Sequence, residues 1–210
     1  MRLFIGIPLS PAVVAELASL TARLKSKAGS LRWTGPESWH ITLQFLGNTS
    51  EEKLDCLVAG LGELRFPPVP VRLEELGIFE RAGVFFASVA VTPELVSLEQ
   101  RVTAATSLCG FVREDRPFRP HITLARAKGQ GRIRSLRPLE ALIQRQPVFT
   151  RFLAQEFLLY ESHLLPNGSR YEVRARFPLD SSAPPTAVRG SGDPRDSRPG
   201  GRRYPFADKP

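Results

Sequence analysis

Apolar residues recur along this chain in two rhythms, one every three to four positions and one every second position, punctuated by proline, glycine and asparagine. The opening RLFIGIPL is a short apolar run stopped by Pro8 and Pro11, and reads as a buried strand. Over 11–28 the rhythm turns helical: Val13, Leu17, Leu20 and Leu24 share a face from which Glu16, Arg23, Lys25 and Lys27 are excluded. SWHITLQFLG is a strand closed by Gly47 and Asn48. TSEEKLDCLVAGLGEL has a capping serine and an acidic first turn, predicting a helix to about Leu64. VPVRLEELGIF and GVFFASVAV predict strands joined by a turn near Arg81 to Gly83. TPELVSLEQRVTAATSLCG predicts a helix capped by Thr92, with Pro93 in its first turn and Gly110 beyond its end. FRPHITLARA is another strand and RPLEALIQRQ a short helix. FLAQEFLLYES and SRYEVRARFPL are two final strands turning at Asn167-Gly168. This order of elements is α+β.

Two of the strands carry the same tetrapeptide, H-I-T-L, at 40–43 and 121–124, and a helix precedes each by a similar distance. No repeat is visible in the sequence beyond these motifs. The chain has three histidines, so the twin motif uses two of them. Because strand side chains alternate, His40 and Thr42 face one way while Ile41 and Leu43 face the other, and His121 and Thr123 repeat the arrangement. Burying the isoleucines and leucines leaves an imidazole and a hydroxyl on each opposite face. If the two strands flank one groove, it holds two histidines and two hydroxyl donors.

Imidazole is the side chain whose ordinary pKa, about 6.5, lets a neutral and a protonated copy coexist near neutral pH. Such a pair can take a proton from a nucleophile and give one to a leaving group, while threonine hydroxyls donate to phosphate oxygens. That is equipment for phosphodiester cleavage without a metal. A metal site needs a third ligand, and neither motif has a carboxylate or cysteine beside it. No G-x-S-x-G elbow or glycine-rich phosphate loop occurs. His163, in LYESHLLPNG, lacks the threonine and reads as a surface or packing residue. Arg126 can neutralise a phosphate, although strict alternation aims it away from His121 unless the strand ends or bulges; Arg116 and Arg119 are rivals for that task. Trp33, Trp39 and Phe118 flank the motifs and read as core, with base stacking as the alternative.

Composition narrows this picture further. The chain's 210 residues, 42% hydrophobic and 24% charged, describe an ordinary globular protein, and the net charge of +8 favours a polyanionic partner. Residues 181–210 hold six prolines, four glycines, six basic and three acidic residues. They read as a disordered tail, which leaves +5 on the folded unit expected over 1–180. No stretch reaches the roughly 18 apolar residues of a membrane span, and no signal peptide is legible, so a cytoplasmic protein is expected. Cys56 and Cys109, far apart and outside any C-x-x-C, read as buried thiols in a reducing compartment.

Together RLFIGIPL, WHITLQFLG, RPHITLAR and the closing LYESHL and YEVRARFPL resemble the two-histidine (2H) phosphoesterases. Within them the resemblance is to the RNA 2′,3′-cyclic phosphodiesterase branch, formerly named 2′-5′ RNA ligase, and it covers about residues 1 to 180. It implies a bilobal, pseudo-twofold fold in which two antiparallel sheets with flanking helices form a central groove, one H-x-T-x strand from each lobe. It implies metal-independent hydrolysis of an RNA 2′,3′-cyclic phosphate to a 2′-phosphomonoester, with reversible 2′-5′ joining as a side activity. By position, His40 resembles the proton donor and His121 the proton acceptor; Thr42 and Thr123 would hold the phosphate, assisted by Arg126. The expected protein is a monomer without cofactor or membrane partner, acting on a tRNA-like RNA or oligonucleotide with a cyclic-phosphate end. Two rivals stay open: a phosphodiesterase for another small cyclic or 2′-5′-linked nucleotide, and a non-catalytic RNA-binding module.

Overall fold

The computed structural model of the chain describes residues 1–28, 30–127, 136, 138, 139, 146–165 and 168–180. Its first helix, α1 (Pro11–Lys25), begins where the Ser10 hydroxyl accepts the Val13 N–H at 3.4 Å and Pro11 takes a position needing no donor. The same device starts α3 (Pro93–Ser107): Thr92 accepts from Leu95 N–H at 3.2 Å and Pro93 follows. Between them α2 (Glu51–Gly62) is capped by Ser50. Gly110, at φ 80°, follows α3 in the left-handed region that favours glycine.

Ten strands accompany these helices among the described residues: β1 (Arg2–Pro8), β2 (Arg32–Trp33), β3 (His40–Asn48), β4 (Val69–Val71), β5 (Leu73–Phe79), β6 (Val84–Val89), β7 (His121–Arg126), β8 (Phe152–Ala154), β9 (Glu156–Leu165) and β10 (Gly168–Pro178). They form two four-stranded antiparallel sheets, ordered β10-β9-β1-β3 and β2-β7-β6-β5, so the fold is α+β. Each sheet holds one motif strand beside the strand that precedes its helix. The units β1-α1-β3 and β6-α3-β7 are thus the repeat hinted at by the motifs. The sheets nevertheless exchange strands. β2, from the first half of the chain, pairs with β7, and the late hairpin β9-β10 pairs with β1. One continuous core results, with Ile5, Ile7, Ile41, Phe85, Leu95, Leu98 and Ile122 essentially inaccessible.

Several expectations need correction. VPVRLEELGIF is not one strand: the chain leaves β4 and enters β5 at Arg72, whose carbonyl accepts from Ala90 N–H at 2.8 Å. FLAQEFLLYES divides likewise at Gln155, and β4 and β8 make a third, two-stranded sheet absent from the sequence reading. The two cysteines are not free thiols but a disulfide, Cys56–Cys109, with Cα atoms 5.9 Å apart, and Cys56 is exposed rather than buried. α2 packs against α3, which brings together residues 53 positions apart; sequence spacing carries no information about that contact. Most of the expected helix over 137–146, Asn167, and the expected tail over 181–210 lie outside the described residues. No helix among the described residues is long and apolar enough to cross a membrane.

Candidate active site

His40 and His121 each occupy the first position of their strands, β3 and β7, and both line one cleft of about 560 Å³ between the sheets. Thr42, Thr123 and Arg126 line the same cleft, so all five residues singled out in the motifs share it. The surroundings of the two imidazoles match. His40 Nδ1 lies 2.9 Å from the Ser38 carbonyl, and His121 Nδ1 lies 2.8 Å from the Arg119 carbonyl, in each case two residues back. A carbonyl oxygen only accepts, so Nδ1 carries the hydrogen in both rings and Nε2 is left for chemistry.

Arg126 reaches the cleft because β7 bulges. Phe85 pairs with Ala125 and Phe86 with Thr123, leaving Leu124 without a partner. The extra residue reverses the alternation: Leu124 and Ala125 are both buried, and Arg126 emerges on the face of His121 and Thr123. The bulge is the condition under which the sequence allowed Arg126 to turn towards His121. β3 bulges at the equivalent Leu43, since Ile5 pairs with Gln44 and Gly6 with Thr42. The counterpart of Arg126 is therefore Phe45, 58% exposed and also lining the cleft. Thr34, just past the end of β2 in the same sheet, secures the β7 bulge, its hydroxyl 2.7 and 2.9 Å from the Thr123 and Leu124 carbonyls while its N–H donates to the Leu124 carbonyl at 2.9 Å.

The LigT-like phosphoesterase profile matches the chain twice, over residues 7–86 and 87–171, with one motif strand in each match. An RNA 2′,3′-cyclic phosphodiesterase of Archaeoglobus fulgidus is 30% identical over 178 residues, spanning 82% of this chain and 97% of the relative. The crystal structure of TT0787 of Thermus thermophilus superposes with a TM-score of 0.69 at 28% identity, over 85% of this chain and 98% of that one. The structure of Escherichia coli LigT complexed with 3′-AMP gives 0.65 at 27% identity, over 85% and 97%. The chain belongs to the LigT-like phosphoesterase family.

In this member of the family, both motif imidazoles are held below their ordinary range. Burial is the main cause for His40, which falls from 6.5 to about 4; the Ser38 carbonyl opposes the shift, and the charges of His121 and Arg126 add to it. His121 is lowered by burial and by Arg126, against the Arg119 carbonyl. Arg126 thus acts on both rings. Aromatic rings supply the burial: Phe4 lies 4.6 Å and Tyr171 5.1 Å from His40, and Phe79 lies 5.1 Å and Phe86 5.6 Å from His121. Gly6 leaves room for this packing, since a Cβ there would meet Ile41 O at 2.9 Å and His40 Cδ2 at 3.4 Å.

The other sequence candidates lie apart from this chemistry. Trp39 is buried and donates to Thr34, Trp33 packs on the edge of Phe85, and Phe118 lies against the core; none lines the cleft. Arg116 does line it, 2.8 Å from Glu114, whereas Arg119 contributes its backbone carbonyl to His121. His163 sits on β9 beside Glu172, outside the cleft lining. Sequence reasoning missed Arg2, Arg32, Thr34, Phe4, Phe45 and Tyr171. For Phe45 a signal existed: it holds the same place after its motif, five residues past the histidine, as Arg126 does.

Proposed function

We propose that this protein is an RNA 2′,3′-cyclic phosphodiesterase that opens the cyclic phosphate to a 2′-phosphomonoester by paired histidine acid–base catalysis. The observation that carries the proposal is the pair of histidines lining one cleft, each with Nδ1 committed to a carbonyl and Nε2 available. His121 takes a proton from water as its oxygen attacks phosphorus. His40, entering as imidazolium, gives its Nε2 proton to the departing ribose 3′-oxygen, which leaves the phosphate on the 2′-position. Thr42 and Thr123 donate hydrogen bonds to non-bridging oxygens, and Arg126 balances the negative charge that develops on them. With a ribose 5′-hydroxyl in place of water, the same groups run the 2′-5′ joining reaction.

Both histidines are lowered in the free protein, so the acid must be charged as substrate binds. The anionic phosphodiester opposes the causes that lower the pair and draws a proton onto it. The pair titrates as a unit, and its singly protonated state is the working one.

No step calls for a metal, and among the described residues no three His, Cys, Asp or Glu side chains converge as a ligand set. The test is incubation of purified protein with a 2′,3′-cyclic-phosphate oligonucleotide and EDTA, with the product read by phosphorus NMR. A 2′-phosphomonoester is expected. A 3′-phosphate product, or activity that EDTA abolishes and a divalent metal restores, overturns the mechanism. The catalytic unit is residues 1–180, so a chain ending at Asp180 keeps its turnover of the same substrate.

A further inference from the structure

The two lobes share their histidines and threonines and differ in what surrounds them, and a substrate that is itself lopsided about phosphorus accounts for the difference. In the reaction above water enters beside His121, so the ribose and everything attached to it lie on the side of His40. On that side the face of the first sheet continues outward along β1 and β3. Gly6 pairs with Thr42, Phe4 with Phe45, and Arg2 with Asn48, with successive cleft-facing positions leading away from the histidine. Arg2 stands four residues beyond Gly6, ~13 Å along the strand. Phe45 lies between, 58% exposed, an apolar ring held open to solvent at the cleft wall. Ser162 and Ser169 line the same outer end. Arg2 makes no ion pair among the described residues. The second sheet has arginines on its wall, Arg32 among them, but no exposed ring at the matching place: the position equivalent to Phe45 is Arg126, and the partner equivalent to Phe4 is the buried Val84.

We propose that this outer part of the first lobe is a binding subsite for the RNA on the 5′ side of the reacting phosphate, in which Phe45 stacks on a base and Arg2 engages a backbone phosphate. The order histidine, aromatic ring, arginine matches the order phosphate, base, phosphate along a single strand. The inference rests on the cyclic phosphodiesterase reading and adds to it a preference for polynucleotide ends over mononucleotides. A flat ring stacks on any base, so the subsite selects for chain length and not for sequence.

The test compares kcat/KM for a 2′,3′-cyclic mononucleotide with that for a pentanucleotide ending in the same cyclic nucleotide. The parent protein should favour the pentanucleotide. R2Q should lower pentanucleotide kcat/KM by about 10-fold, through KM with kcat retained, and affect the mononucleotide, which has no 5′ phosphate, far less; F45A should lower both by about 10-fold, because both substrates carry the stacked base. R2Q should also reduce the salt dependence of pentanucleotide KM, by about 0.7 in the log–log slope for one phosphate contact on a single strand. Equal use of both substrates by the parent, equal losses on both in R2Q, or unchanged use of both by F45A overturns the subsite. If neither substrate turns over, the catalytic reading fails, and the subsite is read by fluorescence anisotropy with a labelled pentanucleotide 3′-phosphate. Weaker binding by F45A and R2Q then supports it, and unchanged binding overturns it.

Discussion

Burial and neighbouring positive charge hold His40 at about 4 in the free protein, against an ordinary 6.5. That difference corresponds to about 3 kcal/mol disfavouring the imidazolium in the cleft. Three measurements follow from it. In the free protein, His40 should titrate by NMR near 4 and His121 below 6.5, and both midpoints should rise when a nucleoside 3′-phosphate is bound. In steady-state kinetics, kcat/KM reports the free protein, so its bell should lie on the acid side of 6.5. The bell for kcat, which reports the substrate complex, should move to higher pH. The third measurement is stability. The unfolded chain protonates His40 as pH falls through 6.5, whereas the folded chain resists until about 4, so folded stability is full above 6.5 and declines between 6.5 and 4. His40→Asn should remove up to about 3 kcal/mol of that decline in urea titrations at pH 7 and pH 4. A His40 midpoint at or above 6.5 in the free protein would refute the burial account. Midpoints indifferent to the bound phosphate would refute the role given to the anion.

Three further outcomes are expected. His40→Ala should lose much less activity on a p-nitrophenyl phosphodiester, whose leaving group needs no proton, than on a cyclic phosphate, while His121→Ala should lose about 10²–10⁴-fold on both; rescue of the His121 variant instead would reverse the two roles. Thr34→Val removes the hydroxyl that donates to the Thr123 and Leu124 carbonyls and accepts from Trp39. It should cost about 1–3 kcal/mol by urea denaturation and reduce kcat as Arg126 loses its placement, and full activity in a destabilised variant would show that the bulge stands without it. Cys56→Ser opens a 53-residue loop and should lower unfolding free energy by up to about 4 kcal/mol, matching the parent in dithiothreitol; identical oxidised and reduced parent stabilities would contradict the cross-link.

Local signals along the chain determined the three helices α1, α2 and α3, because their causes are local: a Ser or Thr cap, a proline in the first turn of α1 and α3, and an apolar face every three to four residues. They determined the motif strands and which side chains share a face for the same reason, since alternation alone puts His40 with Thr42 and His121 with Thr123. Alternation could not report the insertion of Leu124 into β7, because a bulge is defined against the partner strand. That single residue decides that Arg126 faces the cleft, as the matching bulge at Leu43 does for Phe45 in the other lobe. The disulfide, the strand exchange of β2 with β9 and β10, and the division of VPVRLEELGIF between two sheets belong to the same class. Each depends on residues distant in sequence meeting in space. The lowered histidines are the sharpest case: the sequence supplied two imidazoles near 6.5, and only the rings and charges packed around them in the folded chain moved both downward.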